Sequence, residues 1–80
     1  MDVVVVFDAS GAIFDVTVGD NQPIHELSDR LPEVLALNLA AGEYVSLMKD
    51  KQRLDPYKSF KELGVAEGDK LRALVFGCGS

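Results

Sequence analysis

The stretch Ser59–Leu71 most constrains what this chain can fold into, because several chain-reversal signals follow one another there. Ser59 and Glu62 have the spacing of a capping box, in which each side chain accepts a hydrogen bond from a backbone N–H of a starting helical turn. Gly64 follows where a left-handed C-cap favours glycine, and Gly68 supplies a positive φ for the next turn. The stretch therefore predicts a short helical turn, a reversal and a terminal strand.

Eighty residues, 48% of them hydrophobic, suit one small domain with a single core. The longest apolar runs fall well short of the roughly 20 residues that a membrane span needs. No basic and then apolar leader opens the chain, so we expect no secretory signal. One cysteine excludes an internal disulfide framework and fits a reducing compartment.

The net charge of −5 argues against non-specific nucleic-acid binding. The first 48 residues contain eight acids and one base, whereas residues 49–80 contain seven bases and five acids. Five bases fall in one short segment: Lys49, Lys51, Arg53, Lys58 and Lys61. This segment has two interpretations, a solvated hairpin rim or a basic edge offered to an acidic partner.

Hydrophobic periodicity predicts a β-hairpin, then a helix, then three further strands. The hairpin strands are residues 3–7 and 12–18. The helix follows a cap at Asp20 or Asn21, and Pro32 should kink it or split it near 29–31. The later strands are 44–48, 53–54 and 70–76. If the last strand pairs in parallel beside the first, the chain has an α+β β-grasp fold over residues 1–76, a mixed sheet of four to five strands on one kinked helix, with a flexible tail at 77–80.

Catalytic chemistry has little support in this sequence. His25 is the only histidine and has the position of a solvent-facing or capping residue on the first helical turn. Cys78 is the only cysteine and lies in the glycine-rich tail without a nearby histidine. No spacing resembles a zinc site, a P-loop or a dinucleotide fingerprint. We therefore predict a non-enzymatic protein with no catalytic residue, metal or cofactor.

Residues 53–71, with the predicted strand order, resemble a ubiquitin-like domain: leucine-aspartate, a short helical turn, leucine-glycine-valine, glycine-aspartate and leucine follow in that order. The helix segment 24–35, with its Leu-Pro-acid-apolar-Leu step, is similar to the helix of the YukD-like proteins of type VII secretion. The resemblance spans residues 3–76. It implies a non-conjugated cytoplasmic adaptor of a bacterial type VII secretion system, whose partner is a membrane component or an ATPase of the machine.

The C-terminus departs from two relatives of that superfamily. The end Gly77-Cys78-Gly79-Ser80 lacks the double glycine that ubiquitin-like modifiers and sulfur carriers activate, and no membrane segments follow as in the fused secretion component. A modifier or sulfur carrier stays open as one alternative function. A small ubiquitin-like subunit of a multicomponent oxygenase is another.

Strand alternation predicts which side chains a partner would meet. If the helix covers one sheet face, Leu71, Ala73 and Val75 face the core and the other face is open. The predicted partner-binding residues on the open face, beside Ser46, are Val4, Val6, Ile13, Met48, Arg72, Leu74 and Phe76. Lys49, Lys51 and Arg53 would lie at the rim of this face. An exposed apolar patch of this kind marks a protein-interaction surface, or one that closes a homo-oligomer.

Overall fold

Five strands and two short helices follow one another along residues 1–77, the part of the chain that the computed structural model describes. The elements are β1 (Asp2–Phe7), β2 (Ala12–Thr17), α1 (Ile24–Ser28), α2 (Leu31–Val34), β3 (Tyr44–Lys49), β4 (Gln52–Arg53) and β5 (Lys70–Phe76). The predicted tail begins at Gly77, and Cys78, Gly79 and Ser80 lie outside the described residues.

The strands form one mixed sheet in the order β2-β1-β5-β3-β4. β1 and β2 pair as an antiparallel hairpin, and β3 pairs antiparallel with both β4 and β5. β5 is parallel to β1, with Leu71 opposite Val5, and so takes the centre of the sheet. The predicted β-grasp arrangement, with the last strand inserted beside the first, is confirmed.

The core lies between one sheet face and the two helices. Alternate residues of the central strands are fully buried there, including Val5, Leu47 and Leu71. Leu31 from α2 and Phe60 from the segment before β5 close the core from the other side, and both are almost completely buried. Burying one such large apolar side chain stabilises the fold by about 1.5–3 kcal/mol.

Pro32 splits the predicted helix in two. α1 ends at Ser28 and α2 begins at Leu31, so Asp29 and Arg30 separate them. Proline has no N–H to donate and is tolerated only in the first turn of a helix, which is where Pro32 lies in α2. The predicted break near residues 29–31 is confirmed.

The predicted side-chain cap at Asp20 or Asn21 is wrong, because backbone carbonyls from a distant segment replace it. The Ile24 N–H donates to the Lys58 carbonyl oxygen at 2.9 Å, and the following N–H donates to the Pro56 carbonyl oxygen at 2.9 Å. The first N–H groups of a helix need such acceptors, and here tertiary contact supplies them.

The segment that leads into β5 has the predicted caps and turns. The Ser59 N–H donates to Glu62 Oε1 at 3.2 Å, and the Glu62 N–H donates to Ser59 Oγ at 3.1 Å, which is a capping box. Gly64 and Gly68 have φ angles of 73° and 83°, a region that side chains with a Cβ disfavour. This segment carries the chain past the end of α1 and starts β5 beside β1.

Two details at strand ends differ from the expectation. The short strand β4 is Gln52–Arg53 and not residues 53–54, although the Leu54 N–H still donates to the Leu47 carbonyl oxygen at 2.9 Å. Val75 is 37% exposed and does not belong to the core. The β1–β5 pairing ends at Phe7 opposite Ala73, so Val75 has a strand neighbour on the β3 side only.

Candidate functional site

The sheet side opposite the two helices, called the uncovered face from here on, brings together all seven residues that alternation assigned to a partner. Directly opposed residues of neighbouring strands project to the same face. One row of such partners crosses the whole sheet from β2 to β4: Ile13, Val6, Arg72, Met48 and Arg53. Val4 lies two residues before Val6, and Leu74 and Phe76 continue the alternation along β5.

The uncovered face mixes apolar and charged side chains, because Arg72 lies in the middle of the row, between Val6 and Met48. Ile13 is 67% exposed, and the apolar side chains of Val6, Met48 and Leu74 are half-buried among their neighbours. Ser46 also projects to this side from β3, opposite Leu74, but it is buried. Its burial follows from Arg53, whose Nε donates to Ser46 Oγ at 3.1 Å.

Arg53 lies in an aromatic cluster that sequence reasoning did not find. Its guanidinium carbon lies 4.5 Å from the centroid of the Phe76 ring and 5.3 Å from that of Tyr44, and a terminal nitrogen donates to the Tyr44 hydroxyl. The two rings stack at 6.1 Å between centroids. Cation–π contact fixes a long side chain that would otherwise sample many rotamers. Alternation along β3 was the available signal, because it puts Tyr44 on the same side as Ser46.

Arg72 is engaged differently from Arg53. Its guanidinium donates two hydrogen bonds to Asp8 Oδ1, at 2.7 and 3.2 Å, and both side chains are about half exposed. Exposed pairs of this kind contribute about 0–1 kcal/mol to stability. Within residues 1–77, Arg53 has no carboxylate partner, so the cationic charge of the uncovered face is concentrated near β4.

The placement of Lys49 at the rim of this face is wrong. Lys49 has the same parity as Leu47 and turns to the other side, where its Nζ lies 2.7 Å from Asp69 Oδ2 and donates to the Gly64 carbonyl oxygen at 3.0 Å. The same Asp69 carboxylate accepts a hydrogen bond from the Ala66 N–H at 2.8 Å. Lys49 thus joins the end of β3 to the turn before β5.

These contacts make the contribution of Asp69 to the stability of the fold depend on pH. The hydrogen bond from Lys49, then that from the Ala66 N–H, lower the pKa of Asp69 below its ordinary value. Because the pKa is lower in the folded state than in the unfolded state, this group stabilises the fold above the ordinary carboxyl pKa of about 3.9. That stabilisation is lost as pH falls from there through the folded-state pKa.

We therefore expect Asp69→Asn to lower the urea midpoint at pH 6, with a difference from the parent protein that shrinks below pH about 4. The matched control is Asp15→Asn, which removes an exposed carboxylate from β2. Urea titrations followed by circular dichroism from pH 6 to pH 2 measure the effect. A difference that stays constant over this range would show that the charge of Asp69 is not what stabilises the turn.

The one histidine of the chain lies beside a carboxylate and a tyrosine ring. His25 Nδ1 lies 3.4 Å from Asp29 Oδ2, and its ring is 6.1 Å from that of Tyr57, on a half-exposed surface. No cluster of three or more potential metal-ligating side chains occurs within residues 1–77. Across the same residues, no helix is long and apolar enough to cross a bilayer.

Sheet order, helix placement and strand register together define a ubiquitin-like β-grasp fold. The structure is similar to the crystal structure of the UBL domain of Plasmodium falciparum Dsk2, with a TM-score of 0.77. The two chains share 17% sequence identity over 95% of this chain and 97% of the other. The sequence itself matches no protein-family model and no curated protein.

Proposed function

We propose that this protein is a non-catalytic ubiquitin-like adaptor that binds a protein partner through the uncovered face. The observation that carries the proposal is the row of residues from Ile13 to Arg53, in which apolar side chains of β2, β1 and β3 lie on both sides of Arg72, with Leu74 two residues further along β5. Apolar side chains interspersed with arginine on one sheet face are typical of a protein-binding surface.

The finer proposal is a cytoplasmic component of a bacterial type VII secretion system. It rests on the similarity of the α1–α2 segment, including Pro32, to the helix of YukD-like proteins. In this proposal the partner is the ATPase or a membrane component of the secretion machine. Genes for such an ATPase and for small export substrates next to the gene for this chain would support it.

Leu74→Asp and Met48→Asp test the uncovered face. Each replaces an apolar side chain of the uncovered face by a charged one, and neither residue belongs to the core, so the fold should persist. Losing one buried apolar contact of about 1.5–3 kcal/mol weakens binding by about 10- to 100-fold. Titration of the labelled protein with a purified ATPase or membrane component of the secretion machine measures the loss.

Val34→Asp is the matched control for this experiment. It also replaces an exposed apolar residue by aspartate, but on α2, on the opposite side of the sheet. Binding should be unchanged by Val34→Asp. Unchanged binding in both Leu74→Asp and Met48→Asp, with native circular dichroism spectra, would remove the uncovered face as the partner site.

A further inference from the structure

The outer edge of β3 loses its strand neighbour partway along. β4 pairs with β3 only at Met48 and Lys49, and the Leu54 N–H then donates to the Leu47 carbonyl oxygen at 2.9 Å. After Leu54 the chain leaves the sheet and runs to the N-terminus of α1, where the Pro56 carbonyl accepts a helix N–H. The part of the edge that precedes Leu47 therefore has no strand neighbour within residues 1–77; we call it the β3 edge.

Backbone groups of Val45 face outward along the β3 edge. The Leu47 carbonyl points away from β5, and backbone direction repeats every second residue in a strand, so the Val45 N–H and C=O point the same way. No residue within 1–77 hydrogen-bonds to them on this side. Val45 as a whole residue is only 5% exposed, so these unpaired backbone groups are reached through a cavity that Val45 lines. Such an edge is a template for an added strand.

A cavity of about 420 Å³ runs along the β3 edge, within the usual range of ligand pockets. Its walls differ on the two sides of the sheet. The wall on the uncovered face contains Tyr44 and Arg53, and the wall on the helix side contains Ile24 and Tyr57. A strand added here would direct successive side chains alternately toward these two walls.

The charges of the two walls also differ. Arg53 has no carboxylate partner within residues 1–77, and its Nε–H and one terminal N–H are used on the hydroxyls of Ser46 and Tyr44. A guanidinium has five N–H donors, so it keeps donors for an incoming carboxylate. The helix-side wall carries Asp29, a 75% exposed carboxylate that disfavours an acidic side chain there.

We propose that the β3 edge binds an extended segment of a partner protein in which acidic and apolar side chains alternate. The segment adds beside β3 as a further strand and exchanges backbone hydrogen bonds with Val45. Its apolar side chains enter the helix-side wall near Ile24 and Tyr57, and a carboxylate pairs with Arg53. This site shares Arg53 with the uncovered face but binds through the backbone of β3, and it goes beyond the adaptor function proposed above.

A blocked pentapeptide of alternating valine and aspartate, Val-Asp-Val-Asp-Val, is a direct probe of the full-length protein. In ¹⁵N–¹H spectra the Val45 amide should shift on titration, and its hydrogen exchange should slow, because it gains an acceptor. Arg53→Gln should raise the dissociation constant of the peptide by about tenfold or more, since it removes a charge-assisted hydrogen bond. A peptide with lysine in place of aspartate should bind the parent protein about as weakly as the valine–aspartate peptide binds the Arg53→Gln variant.

Two controls distinguish strand addition at the β3 edge from binding elsewhere on the protein. A pentapeptide with N-methylated backbone amides keeps its side chains but cannot complete the strand pairing, so it should fail to slow exchange at Val45. Ile13→Asp, at the other end of the uncovered face from Arg53, should leave binding of the valine–aspartate peptide unchanged, which separates failure here from failure of the uncovered face. An unperturbed Val45 amide, or equal binding of the lysine peptide, would overturn the proposal.

Discussion

Phe60→Ala should lower the free energy of unfolding by about 3–5 kcal/mol, a large part of the stability of a domain this size. Phe60 is completely buried although it lies outside any regular element. Its N–H donates to the Gln22 carbonyl oxygen at 3.3 Å and its carbonyl accepts from the Val65 N–H at 3.0 Å, so the backbone holds the ring in the core. Truncation leaves a cavity that these fixed neighbours cannot fill.

Tyr57→Ala is the matched control, an aromatic truncation three residues earlier in the same segment. Tyr57 is 84% exposed, so its loss should change the free energy of unfolding by no more than about 0.5 kcal/mol. Urea unfolding at 25 °C, followed by circular dichroism, measures both variants. Phe60→Leu should fall between them, because it keeps part of the apolar volume. Equal losses for Phe60→Ala and Tyr57→Ala would contradict this description of the core.

Leu31→Ala should cost about 2–5 kcal/mol of unfolding free energy. Leu31 is the buried residue of α2, a helix of four residues that cannot be stable through its own hydrogen bonds. Its side chain is therefore what holds α2 against the sheet. Removing it creates a cavity and also frees the segment that follows Pro32.

Val34→Ala on the same helix provides the comparison. Val34 is 66% exposed, so we expect a change within about 0.5 kcal/mol. Both substitutions leave alanine in α2, which equalises most of the change in helix propensity. The same urea titration applies. A loss for Val34→Ala as large as that for Leu31→Ala would mean that α2 contacts the sheet through its other side.

Much of the uncovered face could be predicted because a strand has a period of two residues. Once the buried set Val3, Val5 and Phe7 was recognised, the remaining residues of β1 had to face the other way. The aromatic cluster around Arg53 could be predicted only in part in this way, because alternation places Tyr44 on the uncovered face but does not pair it with Phe76. Arg53 meets rings from β3 and β5, strands that are far apart in the chain, and only the register of the sheet brings Tyr44 and Phe76 together.

The basic segment shows the same limit. Its lysines and arginines are close in sequence, yet Lys49 pairs with Asp69 on one side of the sheet and Arg53 lies over aromatic rings on the other. Strand alternation explains why Lys49 and Arg53 lie on opposite faces. It does not predict that Lys49 meets Asp69, which depends on the position of the turn before β5. Sequence clustering of charge therefore did not translate into a single basic surface.

The sequence by itself determined the local structure of this protein. The Ser59–Glu62 capping box, the positive φ at Gly64 and Gly68, and the break at Pro32 all arise from residues within a few positions of one another. Tertiary structure alone decided which distant groups meet. Two features depend on where the chain runs after Leu54. They are the acceptors for the first N–H groups of α1 and the unpaired backbone groups of Val45. Packing of the whole core sets the path of the chain after Leu54, because no local interaction in this segment outweighs the burial of Phe60 and Leu31.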